Sequence, residues 1–220
     1  MALISDRCAK AKDAGSGAYA RLLGDEQLGQ LISWIHAASI SAGNELEAII
    51  SKHANCMTAD QLDPLFMNQL PGGPYLMTKR LLRTEVTPRL GLSKAIEPDF
   101  VMVIIVGKHC YVIELKDGDN FDTKKAAGEV ANLDIYREAL HNKFLFGWIV
   151  EKRVCCFNQD DPKRIVAGFK GRIALKEAMT GREFCRLLGI SYEAILAERR
   201  EDQVKNREFV VQRLHEILTA

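Results

Sequence analysis

The chain has 220 residues, of which 47% are hydrophobic and 27% are charged, and its formal net charge is +1. A chain of this length can bury one sizeable core, so we expect a single domain over residues 1–220. It has no apolar run near the roughly 20 residues that span a bilayer and no signal-peptide pattern, which predicts a cytoplasmic protein without a membrane segment. The near-neutral charge counts mildly against nucleic-acid binding.

The six cysteines are scattered, with no C-x-x-C pair and no histidine at zinc-finger spacing. Cys110, Cys155 and Cys156 fall in predicted strands, where a free cysteine behaves as a small hydrophobic residue. We therefore expect reduced, buried thiols and neither a zinc site nor a catalytic cysteine.

Residues 27–41 carry apolar side chains at helical spacing and predict a first helix. A second helix is expected to begin near Asn44, because Asn44 and Glu47 have the spacing of a capping box. Alternatively Glu47, or failing that Glu45, points at a metal site as a further carboxylate, and the sequence leaves the two interpretations even.

Residues 70–94 contain several prolines and glycines and are expected to form an irregular loop. The loop is rich in basic side chains, contributed by Lys79, Arg80, Arg83, Arg89 and Lys94. Such a segment is suited to bind phosphates or to enter a groove of DNA. The alternative is a solvated surface loop.

Residues 97–116 hold the strongest pattern in the chain. Two apolar, largely β-branched runs flank a Gly-Lys turn at 107–108, which predicts a β-hairpin. A two-residue turn would place Asp99 opposite Lys116, and the alternation of side chains puts Glu114 on the same face. Cross-strand neighbours are about 5 Å apart, so two carboxylates and an ammonium are expected to meet at the open end of the hairpin.

This combination of charges is typical of a hard-metal site. Mg²⁺ prefers oxygen ligands and is commonly held by one or two carboxylates together with a phosphate. A metal held there lowers the pKa of a bound water and offsets charge on a phosphodiester, while Lys116 is suited to stabilise the phosphate or orient the water. The alternative is a solvated hairpin end, with Glu114 and Lys116 as a surface pair of little energetic value.

The Asp-rich run after the hairpin resembles the start of a calcium loop, but its twelfth position is Gly128 where a glutamate is required, which excludes a calcium hand. Asp122 is the expected N-cap of a helix that runs to about His141. Lys124 and Lys125 lie in its first turn, where they oppose the helix dipole and are candidates for phosphate contact.

The remaining elements complete an α/β pattern. Strands are predicted over residues 143–150 and 153–157, the first of them suited to run parallel to the second strand of the hairpin. Thr180 is expected to cap a helix, and residues 192–218 predict one long or broken amphipathic helix. Its charged face is either solvated or a dimer surface.

On Pro98-Asp99, on Glu114-Leu115-Lys116 and on the acidic helix around Glu47, the chain resembles the PD-(D/E)xK nucleases and is most similar to a type II restriction endonuclease. The resemblance covers roughly residues 43–150. It implies a restriction-endonuclease-like core over about 43–158, with a mixed sheet flanked by helices and a helical C-terminal part over about 171–220.

The resemblance also implies an activity. Asp99, Glu114 and the Leu115 carbonyl would bind Mg²⁺, Lys116 would position or activate water, and Glu47 would be the helix-borne acid. The implied reaction is sequence-specific cleavage of double-stranded DNA that leaves a 5′-phosphate and a 3′-hydroxyl. A two-fold symmetric DNA site implies a homodimer.

Two other functions compete with this one. One is a structure-specific nuclease of the same fold, such as a resolvase or a nicking enzyme, although resolvases are commonly smaller and more basic than this chain. A non-catalytic DNA-binding module has no need for an acid–acid–lysine set that repels phosphates. A metabolic α/β enzyme with a nucleotide cofactor lacks support, because the chain has no G-x-G-x-x-G, P-loop or G-x-S-x-G motif.

Overall fold

Residues 3–10, 17–118 and 123–219 are described by a computed structural model. Their contacts divide the chain into two compact units, Met1–Ile49 with Glu193–Ala220 and Ile50–Tyr192. Within the described ranges no helix combines the length and the apolar character needed to cross a bilayer.

The first unit is helical. Its elements are α1 (Ile4–Lys10), α2 (Ala18–Leu23), most of α3 (Glu26–His53) and nearly all of α10 (Tyr192–Thr219). The Ile4 N–H donates to Asn206 Oδ1 at 2.8 Å, and the Arg213 guanidinium lies 5.8 Å from the centre of the Trp34 ring. These contacts join α1 and α3 to α10. The expected long C-terminal helix is present and unbroken.

Because α3 is one continuous helix, the prediction of two helices with a capping box at Asn44 is wrong. Glycine and asparagine at 43–44 are weak helix formers, but neither stops a helix as proline does. The buried side chains of α3 continue in phase across this point, from Ala38 to Leu46. Burial of that stripe outweighs a local propensity cost of about 1 kcal/mol, so Glu47 lies in a helix interior.

The second unit contains a five-stranded mixed sheet in the order β1-β2-β3-β4-β5. The strands are β1 (Pro74–Thr78), β2 (Phe100–Ile104), β3 (His109–Lys116), β4 (Ile149–Cys156) and β5 (Ala178–Thr180). The first three are antiparallel, and β3, β4 and β5 are parallel. The parallel step from β3 to β4 is made through helix α7 (Thr123–Lys143). The predicted α/β class and the parallel third strand are confirmed.

Helices pack on both faces of the sheet. On one face Val101, Val112 and Val154 join a buried cluster with Leu133 and other side chains of α7. The other face meets α9 (Gly181–Leu188), where the Phe184 ring lies 6.1 Å from that of Phe100. Side chains alternate along a strand, so residues two apart from Val101 and Val112 project toward the α7 side.

Residues 70–94 are structured, so the prediction of an irregular loop is wrong. After β1 the chain continues through α5 (Lys79–Leu81), a π-helical turn (Leu82–Val86) and α6 (Thr87–Leu90). Pro88 cannot donate a helical hydrogen bond and would clash in a regular turn, and the wider π turn immediately before it relieves both problems. A short 3₁₀ turn (Lys94–Ile96) leads to β2.

A single strand, β4, replaces the two strands predicted over 143–150 and 153–157. Helix α7 ends at Lys143, and three charged residues at 151–153 interrupt the apolar pattern in the middle of the strand. They are accommodated because they have partners: Lys152 Nζ lies 2.6 Å from Asp134 of α7 and 3.6 Å from Glu177. Sequence patterns treat such a charge run as a break, whereas the sheet buries it as ion pairs.

The remaining helices are short. They are α4 (Leu62–Phe66) and α8 (Pro162–Gly168), with 3₁₀ turns at Ala59–Gln61 and Leu175–Glu177. The predicted cap of α9 is confirmed, since Thr180 Oγ1 accepts the Glu183 N–H at 3.1 Å. All six cysteines are free, and burial raises the pKa of the Cys110, Cys155 and Cys185 thiols, as expected of structural cysteines.

The continuity of α3 can be tested with Gly43→Ala. A methyl group at this position meets no other atom within 4 Å, and replacing a glycine inside a helix with alanine should raise the free energy of unfolding by about 0.5–1 kcal/mol. Gly24→Ala is the matched control in the same unit: its φ of 69° disfavours alanine, and a loss of about 1 kcal/mol is expected. Urea denaturation measures both, and a neutral or destabilising Gly43→Ala would indicate a helix break.

Candidate active site

The turn of the β2–β3 hairpin is longer than predicted. Ile104 pairs with His109, so residues 105–108 form a four-residue turn and the two-residue turn is wrong. The hydrogen bonds explain the difference. The Ile105 N–H donates to the carbonyl of Gly73, directly before β1, at 3.1 Å. The Lys108 N–H donates to the Ile105 carbonyl at 3.2 Å and closes the turn.

The register decides which charged side chains face each other at the open end of the hairpin. The last cross-strand row of β1, β2 and β3 consists of Thr78, Phe100 and Ile113. Continuing the register by one residue places Lys79, Asp99 and Glu114 across from one another, with Lys79 directly after β1 and Asp99 directly before β2. The prediction that Asp99 lies opposite Lys116 is therefore wrong by two residues, but a shift of two leaves every side chain on its predicted face. Asp99, Glu114 and Lys116 all project toward α7.

Both oxygens of the Asp99 carboxylate are engaged. Oδ2 accepts the Leu115 N–H at 2.9 Å, and Oδ1 accepts from Lys79 Nζ at 2.7 Å. Asp99 is 7% exposed, whereas the Lys79 side chain is 39% exposed. The carboxylate is thus held on one side by the fixed backbone and on the other by a side chain that reaches solvent.

Pro98 interrupts the backbone ladder beside Asp99. Continuing the alternation of the antiparallel pair, Leu115 would exchange two hydrogen bonds with residue 98. Proline has no N–H to give to the Leu115 carbonyl, and the Leu115 N–H is taken by Asp99 Oδ2. The residue opposite the Leu115 carbonyl is therefore Pro98, which has no N–H to donate, and this carbonyl lies beside the Asp99 carboxylate.

Glu114 is the second carboxylate of the site. Its side chain is 14% exposed, and Oε1 accepts from Lys116 Nζ at 2.8 Å. Burial raises the pKa of the Glu114 carboxyl, the neighbouring Asp99 carboxylate raises it further, and against the opposing effect of Lys116 it stands at about 7. The Glu114 carboxyl therefore loses its proton near neutral pH, where a bound cation would favour its ionised form.

Lys116 bridges two carboxylates, because its Nζ lies 2.8 Å from Glu114 Oε1 and 2.9 Å from Glu129 Oε1. Burial lowers the pKa of the Lys116 ammonium, but the two carboxylates raise it by more, and it stands at about 12. The side chain therefore remains a cation at physiological pH, in a fixed position.

Glu129 of α7 was missed by the sequence analysis. It lies three residues after Ala126 and four before Leu133, both of which are buried on the face of α7 that packs on the sheet. An acidic side chain on an otherwise apolar helix face was the available signal. That signal was overlooked because it gains meaning only when the helix is known to cover the open end of the hairpin.

The oxygen atoms of the site suit a hard divalent cation. Two carboxylates, Asp99 directly before β2 and Glu114 on β3, lie beside the Leu115 carbonyl, which the continued register sets opposite Pro98. Among the described residues no three His, Cys, Asp or Glu side chains gather as a metal-binding group. A metal would thus be held by few protein ligands, with water or phosphate completing the shell, which is the usual arrangement for Mg²⁺.

The predicted basic residues are dispersed, and three of them, Lys79, Arg83 and Arg89, are paired with acids. Arg83 Nε donates to the buried carboxylate of Glu97 at 2.9 Å, and Arg89 Nη1 lies 2.6 Å from Asp63. Arg80 is exposed in the first turn of α5. Lys79 contacts Asp99, as described above.

The other predicted site residues lie in the first unit or have side chains outside the described residues. Lys124 and Lys125 belong to the first turn of α7, but their side chains, like the expected cap Asp122, are outside the described residues. Glu45 and Glu47 are half-buried on α3, in the first unit.

No family model and no solved structure matches the chain. It is 38% identical over 221 residues to the type II restriction enzyme HhaII of Haemophilus parahaemolyticus, an alignment that covers 99% of this chain and 95% of that enzyme. Identity at this level over nearly the whole of both proteins shows common descent. The chain belongs to the family of this type II restriction enzyme, and it is accordingly a DNA endonuclease.

The raised pKa of Glu114 predicts a pH-dependent stability. The unfolded chain loses this proton near pH 4.5 and the folded chain near pH 7, so the contribution of the protonated carboxyl is complete below pH 4.5 and is lost as pH rises through about 7. In EDTA, Glu114→Gln should therefore be more stable than the wild type by roughly 1–3 kcal/mol at pH 8 and by less than about 1 kcal/mol at pH 5. Urea denaturation at both pH values measures this, and an equal difference at both would contradict it.

Proposed function

We propose that the chain is a Mg²⁺-dependent endonuclease of the PD-(D/E)xK type that cleaves double-stranded DNA at a specific sequence. The observation that carries the proposal is the meeting of Asp99, Glu114 and Lys116 at one end of one hairpin, beside an undonated backbone carbonyl. The relationship to a type II restriction enzyme supports the same substrate class.

Each residue has a role that follows from its contacts. Asp99, Glu114 and the Leu115 carbonyl would hold Mg²⁺, and Asp99 is aligned for this by the Leu115 N–H. When bound, the ion would lower the pKa of a coordinated water and offset charge that develops on the phosphodiester. Lys116, kept cationic and fixed by Glu129, would hydrogen-bond the attacking water or a phosphate oxygen. The expected products carry 5′-phosphates and 3′-hydroxyls.

The proposal extends to the architecture and the partners. We take residues 1–220 as one nuclease domain with a restriction-endonuclease-like core, acting as a homodimer because a two-fold symmetric DNA site requires a two-fold symmetric protein. Glu47 is proposed as the helix-borne acid. The six free cysteines suit a reducing cytoplasm, where the DNA substrate is met.

The basic residues are proposed to contact the DNA backbone. Arg80 is exposed close to the site and is the best candidate by position. Lys124 and Lys125 lie in the first turn of α7, where N–H groups also favour phosphate. Arg83 and Arg89 each pair with a carboxylate, so DNA contact by either requires it to exchange that carboxylate for a phosphate.

Cleavage of a plasmid of known sequence tests the proposed function. We expect discrete fragments with Mg²⁺, none in EDTA, and a rate about 10²- to 10³-fold lower for Lys116→Ala, because the variant loses the ammonium held 2.8 Å from Glu114. Lys108→Asn is the matched control, since it removes the same charge from the exposed turn at the far end of the hairpin. Asparagine tolerates the φ of 53° at this position.

The other outcomes of that experiment identify the alternatives. Cleavage restricted to branched or nicked DNA would indicate a structure-specific nuclease. DNA binding with no cleavage under any divalent metal would indicate a non-catalytic module and would contradict the proposal.

Glu129→Gln tests whether the position of Lys116 matters for the reaction. The variant keeps the shape of the side chain but loses the charge that holds Lys116 at 2.9 Å, so we expect the single-turnover cleavage rate to fall about 10- to 100-fold with little change in DNA affinity. Glu138→Gln, at a position 64% exposed on the same helix, is the control. A wild-type rate for Glu129→Gln would remove Glu129 from the mechanism.

A further inference from the structure

Lys79 occupies a defined place in the site. It directly follows β1, and continuing the register by one residue places it across from Asp99, which directly precedes β2. Its Nζ lies 2.7 Å from Asp99 Oδ1, the oxygen that the Leu115 N–H leaves open. The backbone thus brings this ammonium to the carboxylate.

This contact conflicts with metal binding by the same oxygen. Mg²⁺ binds carboxylate oxygens at about 2.0–2.1 Å, so an ion on Asp99 Oδ1 would lie a few ångströms from an ammonium that is already 2.7 Å away. Two cations at that separation repel each other strongly in a partly buried site. Asp99 Oδ2 accepts the Leu115 N–H and keeps one lone pair, but an ion there, on the same carboxylate, would also lie within a few ångströms of the Lys79 ammonium.

The charges in the second unit point the same way. Among the described residues around this site, three carboxylates, Asp99, Glu114 and Glu129, contact two ammonium groups, Lys79 and Lys116. The Lys116 side chain is 22% exposed, whereas the Lys79 side chain, which contacts Asp99, is 39% exposed. Lys79 is therefore the cation that can leave when another cation arrives.

Resting on the proposed function, we propose that Lys79 is an internal counter-ion that holds Asp99 in the metal-free enzyme and is exchanged for the divalent cation. The displaced ammonium then binds a phosphate of the DNA backbone. Because DNA stabilises the displaced position, DNA and metal favour each other's binding. Lys79 thereby weakens metal binding in the absence of DNA.

The effect of removing Lys79 on metal affinity distinguishes the Lys79–Asp99 contact from an ordinary surface ion pair. A pair with one partner this exposed contributes little to stability, so a purely structural Lys79 predicts no change in metal affinity. A Lys79 that orders Asp99 for the metal predicts weaker metal binding without it. Of the three hypotheses, only the exchange predicts that the metal binds more tightly when Lys79 is removed.

Titration with Mn²⁺ in the absence of DNA, followed by electron paramagnetic resonance, tests the exchange. Lys79→Met keeps the apolar stem and removes the charge, and we expect it to bind Mn²⁺ about tenfold more tightly than the wild type. Lys79→Arg restores the charge and should return the affinity toward the wild-type value. Arg80→Met removes a neighbouring exposed charge and should change the affinity less than about twofold.

The outcomes separate this proposal from the proposed function. Unchanged or weaker Mn²⁺ binding by Lys79→Met, with Mg²⁺-dependent cleavage intact in the wild type, overturns the exchange and leaves the nuclease function standing. Absence of Mn²⁺ binding in every variant, together with absence of cleavage, overturns both. Asp99→Asn is the negative control, since it removes the charge for which the two cations compete.

Discussion

The site depends on the hydrogen bond from the Leu115 N–H to Asp99 Oδ2, 2.9 Å long, at the point where the backbone ladder between β2 and β3 stops. Pro98 ends the ladder because it has no N–H, and the Asp99 side chain replaces the missing backbone partner. The same exchange leaves the Leu115 carbonyl without a donor. One proline thus aligns a carboxylate and frees a carbonyl side by side.

The arrangement has an energetic consequence. Asp99 and Glu114 lie next to each other, and burial, together with their mutual repulsion, raises the pKa of Glu114 to about 7. Lys79 and Lys116 offset the remaining charge but leave one carboxylate in excess. Repulsion between the carboxylates destabilises the metal-free site, and a bound cation would relieve it. The stability of the fold is therefore linked to metal binding.

The sequence revealed the local part of this arrangement. Two apolar runs around a turn predicted the hairpin, and the alternation of side chains placed Asp99, Glu114 and Lys116 on one face. The predicted turn was two residues too short, an error that changes the partner of Asp99 and not its face. The cap of α9 and the parallel β4 were also predictable, because they follow from short-range signals.

The missed features depend on contacts between distant segments. β1 lies in a Pro- and Gly-rich stretch, so Lys79 was assigned to a loop and its place across from Asp99 was invisible. Glu129 gains its role only once α7 packs over the end of the sheet. The helix break at Asn44 was predicted from a local motif, and a continuous buried stripe overrode it.

The most direct test of the central claim is a crystal structure of the protein soaked in Mn²⁺, with the ion located by its anomalous scattering. We expect the Mn²⁺ peak at coordination distance (about 2–2.3 Å) from the carboxylates of Asp99 and Glu114 and from the Leu115 carbonyl. We also expect Lys79 Nζ to be displaced from Asp99. A peak at any other group of residues, or ordered Mn²⁺ that leaves the Lys79–Asp99 contact intact, would contradict it.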